Sequence, residues 1–138
     1  MKLSENDKRL IEAALSARTY AHAPYSHFTV GAALLSGDGT IYTGSNIENA
    51  SFGATVCAER VAFFKAISTG VRDFKALALA AGKIDMPATF CTPCGICRQV
   101  MAEFCTPDFR ILMINEEGEV KVSTLGELFP NAFKKENL

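Results

Sequence analysis

Residues 57–81 read CAERVAFFKAISTGVRDFKALALAA, and the fold turns on how they are read. Cys57 to Ser68 predicts a helix that Gly70 closes. Phe74 to Ala81 predicts a buried strand. Towards the N-terminus, Phe28 to Leu35 is a β-rich apolar run. Gly37-Asp38-Gly39 is a turn signal, and Ile41 to Thr43 returns as a second strand, so these segments predict a hairpin. Earlier still, Ser4 followed by Asp7 resembles a capping box. Leu10, Ile11, Ala14 and Leu15 repeat behind it at helical spacing, with Pro24 as the stop. Asn46 to Ala54 is polar and small and reads as an ordered loop. Towards the C-terminus, Gly82 to Thr92 is a connection, and Pro93 opens a short helix to about Phe104. Arg110 to Ile114 and Val120 to Val122 are strands around the turn Glu117-Gly118, and Ser123 caps a last short helix through Leu128. The order helix, hairpin, helix, strand, helix, strand, strand, helix predicts an α/β fold. It is a three-layer α-β-α sandwich with a mixed sheet of about five strands, in one domain spanning 1–138.

The bulk numbers agree with one domain. The 138 residues are 49% hydrophobic and 21% charged, which suits a folded chain with a continuous core. Fourteen Lys and Arg against fifteen Asp and Glu give a formal charge of -1. The basic field that a nucleic-acid polymer demands is missing, so no such partner is expected. The start MKLSENDKRLIEAAL lacks an apolar run behind a basic segment, and no stretch approaches the roughly 20 apolar residues of a membrane span. No leader and no membrane partner are expected, and the expected compartment is the cytoplasm.

Cysteines stand at 57, 91, 94, 97 and 105. An odd number in a reducing compartment argues for metal binding or chemistry rather than disulfides. Cys57-Ala58-Glu59 and Pro93-Cys94-Gly95-Ile96-Cys97 each fall at a predicted helix N-terminus. Free backbone N–H groups and the positive end of the helix dipole favour thiolate there, the form zinc binds. Cys57, Cys94 and Cys97 make three ligands, which leaves a tetrahedral ion one place for water, as in catalytic rather than structural sites. Such an ion makes water acidic enough to act as hydroxide near neutral pH. Glu59, two residues beyond a ligand, can reach that water without being a ligand and act as general base and acid. Zinc deaminases use this arrangement in general. Arg60 is the nearby cation that offsets the negative charge of three thiolates. Other readings of the same cysteines stay open. Cys94 and Cys97 alone would suit a thioredoxin-like dithiol, although Cys57-Ala58-Glu59 would then be unexplained and Trp is absent. Cys91 could close an all-sulfur site of four ligands, or be a small buried hydrophobe. Cys105 reads as core.

Longer stretches carry a resemblance. They are Pro24-Tyr25-Ser26-His27-Phe28 with Val30-Gly31-Ala32-Ala33-Leu34, Asn46-Ile47-Glu48-Asn49-Ala50-Ser51, Thr55-Val56-Cys57-Ala58-Glu59-Arg60, Pro93-Cys94-Gly95-Ile96-Cys97-Arg98-Gln99-Val100, and Glu127-Leu128-Phe129-Pro130 with Phe133. In this order and spacing the chain resembles the small, homotetrameric cytidine deaminases over nearly its whole length. The resemblance implies one zinc ion per chain and deamination of cytidine and 2'-deoxycytidine in pyrimidine salvage. Water would add to C4 of cytosine while Glu59 moves a proton to N3 and then assists departure of the 4-amino group as ammonia. By the same resemblance Asn46 and Glu48 hold the ribose 3'-hydroxyl, and Phe28 stacks on the base. The Ala58 backbone reads the base edge with Glu59, and Arg60 bonds to the thiolates. Phe133 is a second aromatic wall from a neighbouring subunit, and Ala50 to Phe52 reach into the adjacent subunit's site. Without the resemblance, Phe28 reads as core, Asn46 and Glu48 as solvated loop residues, and Phe133 as ordinary tail.

Some positions depart from the family. Phe52 replaces a residue that is often Tyr, which puts a contact to the sugar 5'-hydroxyl in doubt. Val61 stands for Thr and Ile96 for Ala, both as packing changes. His27 lies in a variable spot, and His22 matches nothing, so neither is assigned to zinc. Val61, Phe64 and Ile67 form an apolar helix face suited to close packing. Two other functions remain open: a blasticidin S-type deaminase with a different pocket, and a zinc-stabilised protein that binds a nucleoside without turning it over.

Overall fold

Ser4 starts the first helix as its spacing implies. In the computed structural model, which describes residues 2–115 and 117–138, its hydroxyl accepts the Asp7 N–H at 3.1 Å while the Asp7 carboxylate accepts the Ser4 N–H at 3.2 Å. Helix α1 runs Glu5–Arg18. It stops well before Pro24: the N–H groups of Thr19, Tyr20 and Ala21 fold back onto carbonyls three residues earlier, a tightening common at helix ends. The chain then leaves to pair His22 with Ile47.

Strands β1 (Phe28–Ser36), β2 (Ile41–Ser45), β3 (Phe74–Lys83), β4 (Arg110–Ile114) and β5 (Val120–Thr124) form one sheet in the order β2-β1-β3-β4-β5. β3 and β4 are parallel, and the other neighbours are antiparallel. The sheet is therefore mixed, as predicted. Helix α2 (Ala58–Ser68) precedes β3, and α3 (Gly95–Phe104) joins β3 to β4, the crossover that parallel neighbours require. A last turn, α4, spans Leu125–Leu128. Its cap is Thr124, which shares a capping box with Glu127, and not Ser123. Ser123 is buried inside β5, where the ladder rather than the helix uses its backbone.

The two faces of the sheet are unequal. On one, Leu10 and Ala14 of α1 lie on Ala33, Ala76, Ala78 and Ala80. Small side chains let the helix come close, and Gly31 marks the closest approach: a Cβ there would sit 2.0 Å from the Ala14 carbonyl oxygen. On the other, Ala62, Phe63 and Ala66 of α2 and Cys97 and Met101 of α3 meet Leu34, Leu77, Leu79, Ile111 and Met113. Phe63, fully buried, stacks edge-on against Phe74 at 5.2 Å between ring centres. Helices thus cover both faces, giving the three layers. Gly44 lets α2 settle on β2, since a Cβ there would meet the Ala58 carbonyl oxygen at 2.3 Å. This fixes the first turn of α2. The face of α2 that packs inward is Ala58, Ala62, Phe63 and Ala66, while Phe64 is 47% exposed and Val61 is half-buried. Of the apolar face read from the sequence, Ile67 alone is packed against the core. No helix among the described residues is long and apolar enough to cross a membrane.

Candidate metal centre and nucleoside site

Helices α2 and α3 present their N-termini side by side. Cys57 is the N-cap of α2 and Cys94 the N-cap of α3, both extended, and neither side chain caps its own helix. The sulfurs turn to each other instead. Cys57 Sγ lies 3.5 Å from Cys94 Sγ, and Cys94 Sγ lies 3.4 Å from Cys97 Sγ. All three sulfurs fall within 4.8 Å of one another. Zn–S bonds of about 2.3 Å in a tetrahedron separate sulfurs by about 3.8 Å, so the trio fits zinc with little movement. Cys91 stays outside the trio: its thiol bonds to the Thr92 carbonyl at 3.5 Å, and burial pushes its pKa up.

The electrostatics of the trio favour a bound cation. Cys57 is pulled down to about 5, first by the Cys97 thiol that hydrogen-bonds to it and then by Arg60 and Cys94, against the opposing cost of burial. Cys97 is pushed far up as the donor in that pair. Arg60 and the neighbouring thiols thus favour thiolate at Cys57. Arg60 Nη2 donates to Cys57 Sγ at 3.5 Å, while its Nε is buried without a protein partner among the described residues. A buried donor of this kind suits a more negative sulfur cluster. Three thiolates on one dication leave a net charge of about −1, which Arg60 balances.

Glu59 is buried beside the sulfurs, 4% exposed. Burial raises its pKa to about 7, helped by the Cys57 charge, while its own N–H, the Cys97 thiol and the Cys94 N–H pull the other way. Its carboxyl group therefore reaches the α3 N-terminus. The motif Cys57-Ala58-Glu59 does this through local geometry: the N-cap points one way and the second residue of the helix turns inward.

A second group forms around the start of β1. The Asn46 amide donates to the Phe28 carbonyl at 2.8 Å, and its oxygen accepts the Val30 N–H at 2.8 Å. Glu48 Oε1 accepts the Tyr25 and Ser26 N–H groups at 2.9 and 3.1 Å, and Oε2 accepts the Ser26 hydroxyl. These bonds, the Ser26 hydroxyl first, hold the Glu48 pKa below the usual carboxylate range. Ile47, between Asn46 and Glu48, pairs with Val56, which adjoins Cys57. The ladder Ile47–Val56 thus draws the second group up to the metal trio. Ala50 and Phe52 lie on an exposed segment, 50–54, where Phe52 is 75% exposed and meets the Tyr25 ring edge-on. Phe133 is 57% exposed on a tail held to α3 by a bond from Gln99 to its carbonyl. Phe52 thus borders the second group through Tyr25, whose N–H bonds to Glu48.

The family model for the cytidine and deoxycytidylate deaminase zinc-binding region matches residues 4–113. The chain belongs to that family. Zinc is accordingly the cofactor of this deaminase. A cytidine deaminase of Sporosarcina psychrophila is 51% identical over 95% of this chain and 93% of its own. One of Halalkalibacterium halodurans is 50% identical over 94% and 95%. The crystal structure of cytidine deaminase from Burkholderia pseudomallei superposes with a TM-score of 0.85 at 44% identity, covering 95% of this deaminase and all of that chain. Sequence reasoning gave no role to Ser26 or Arg98. Arg98 Nε donates to the Pro93 carbonyl at 2.7 Å and its Nη1 to that of Leu128, tying the ligand loop to α4. The Leu128 partner of Arg98 and the Glu48 partner of Ser26 become visible only when distant segments meet.

Proposed function

We propose that the chain hydrolyses cytidine and 2'-deoxycytidine to uridine and 2'-deoxyuridine with release of ammonia, the whole of 1–138 acting as one catalytic domain. The observation that carries this reading is the buried Glu59 carboxyl beside three clustered sulfurs at two helix N-termini. Cys57, Cys94 and Cys97 would hold the ion and Arg60 would balance its thiolates. Zinc, when bound, acidifies water into a nucleophile near neutral pH. Glu59 takes one proton of the attacking water and delivers it to N3, then takes the remaining proton from the new C4 hydroxyl and passes it to the 4-amino group, which leaves as ammonia while C4 becomes a carbonyl. A carboxyl group poised near 7 accepts and returns a proton at little cost. The Ala58 N–H, in the first turn of α2, is free of intrahelical bonds and reads the base edge with Glu59.

The sugar is held by counting. Glu48 has about four lone-pair positions, and Tyr25, Ser26 N–H and Ser26 hydroxyl occupy three. Asn46 keeps one N–H beyond its bond to Phe28. One hydroxyl that donates to Glu48 and accepts from Asn46 satisfies both, which is what a ribose 3'-hydroxyl does. Phe28, held by its own carbonyl, stacks on the base. Ala50, Phe52 and Phe133 complete a neighbouring subunit's site in a homotetramer. The exposed 50–54 segment and the outward Phe64 and Val61 support this arrangement. Phe52 supplies no hydroxyl for the sugar 5' end. A role in pyrimidine salvage in the cytoplasm follows from this activity. The test is ultraviolet-monitored loss of cytidine by the purified protein. Turnover should disappear with a zinc chelator and return with zinc, and a protein that binds cytidine without converting it refutes the proposal.

A further inference from the structure

The segment 23–30 carries an unusual density of fixed bonds for an exposed turn. His27 sits in the left-handed region at φ 56°, a conformation that a residue other than glycine adopts only when its surroundings impose it. Its N–H donates to the Ala23 carbonyl at 3.0 Å and its carbonyl accepts the Ile84 N–H at 2.8 Å. This twist brings the Ser26 hydroxyl round to the Phe28 N–H, which donates to it at 3.0 Å. The same hydroxyl has one hydrogen, and that hydrogen goes to Glu48 Oε2. The direction of the chain is therefore set: Phe28 N–H to Ser26 Oγ, Ser26 O–H to Glu48. Among the described residues, Ser26 is the single side chain that hydrogen-bonds both to the strand carrying the stacking ring and to the carboxylate of the sugar site.

We infer that Ser26 is a positioning residue for sugar recognition: it pins one carboxylate oxygen of Glu48 and the backbone of Phe28, so that the remaining Glu48 lone pair faces a single hydroxyl. The inference rests on the sugar-holding role proposed above for Glu48. Without the hydroxyl, Oε2 loses its anchor, Phe28 N–H loses its acceptor, and the carboxylate is held through Oε1 alone by the Tyr25 and Ser26 N–H groups, so Oε2 can swing about that anchor.

The test uses the zinc-loaded enzyme and two substrates, cytidine and 3'-deoxycytidine, which differ only in the hydroxyl at issue. The readout is the ratio of their kcat/KM values. A role limited to folding lowers both values together and leaves the ratio unchanged. Ser26→Ala should lower the ratio on the order of tenfold, the worth of one hydrogen bond to a charged group. Ser26→Thr, which keeps the hydroxyl, should restore most of it. Glu48→Gln should lower the ratio at least as far. If Ser26→Ala fails to hold zinc, Ser26→Cys gives the same readout with a weaker donor of similar size. A ratio that survives in the Ser26 variants but collapses in Glu48→Gln overturns the inference and leaves the sugar site standing. A ratio unchanged in Glu48→Gln overturns both.

Discussion

In the proposed reaction Glu59 carries the proton, and its placement suits that role. A carboxyl group 4% exposed and flanked by sulfur gains little from ionising, so it stays ready to carry a proton. Glu59→Gln keeps size and burial and removes that capacity. Its kcat should fall by about 10²–10⁴-fold, the usual worth of general acid–base catalysis, while elemental analysis still finds zinc. Cys57→Ala, Cys94→Ala and Cys97→Ala should each lose the metal and melt at lower temperature, because binding energy is also folding energy. These four residues were legible in the sequence because each cluster is local. Ser26 was not, since its partner Glu48 lies 22 residues away and a serine in a turn has many ordinary uses.

At the scale of elements, α2, α3 and α4 end at Ser68, Phe104 and Leu128 as the sequence implies, and the end of α1 and the start of α4 are the boundaries it misplaces. Ser4 and Asp7 announce α1 by a three-residue rule, but Arg18 ends it through backbone bonds that no residue type advertises, and Thr124 takes the cap that Ser123 seemed to offer. Asp7 shows how a local device gains a distant use. Besides capping α1, its carboxylate takes two bonds from Arg110 of β4 at 3.0 and 3.1 Å. Arg110 chiefly, with Ser4 adding, holds its pKa below the ordinary value. A depressed carboxylate stabilises the fold above its unfolded pKa, about 3.9, and that stability is lost as pH falls through the folded value. Asp7→Asn should therefore cost about 2 kcal/mol at pH 7, less than a fully buried pair because the Arg110 side chain is 42% exposed. The difference from wild type in urea unfolding should shrink below pH 4. A gap that widens in acid contradicts this account.

For the whole molecule, alternation along β3 explains why one sheet serves two unlike layers. Ala76, Ala78 and Ala80 meet α1, while Leu77 and Leu79 face α2 and α3, so the thicker, aromatic-filled layer lies on the side of the metal. Phe63→Ala opens a cavity there and should destabilise the fold by about 3–5 kcal/mol in denaturant titration. The layers were legible from the order of helices and strands along the chain. The orientation of α2 was not, because its apolar residues surround it: Phe63 is buried and Phe64 is 47% exposed, and burial against the sheet rather than sequence spacing decides between them. Phe64→Glu tests the assembly, since a buried charge at a subunit contact is costly. Analytical ultracentrifugation should show a tetramer in the wild type and smaller species in the variant, and a wild-type monomer excludes the shared sites. X-ray absorption at the zinc edge of the purified protein reads the metal's coordination shell directly. Three sulfurs at about 2.3 Å and one lighter atom are the predicted shell, whereas four sulfurs would leave no place for water and would contradict the account.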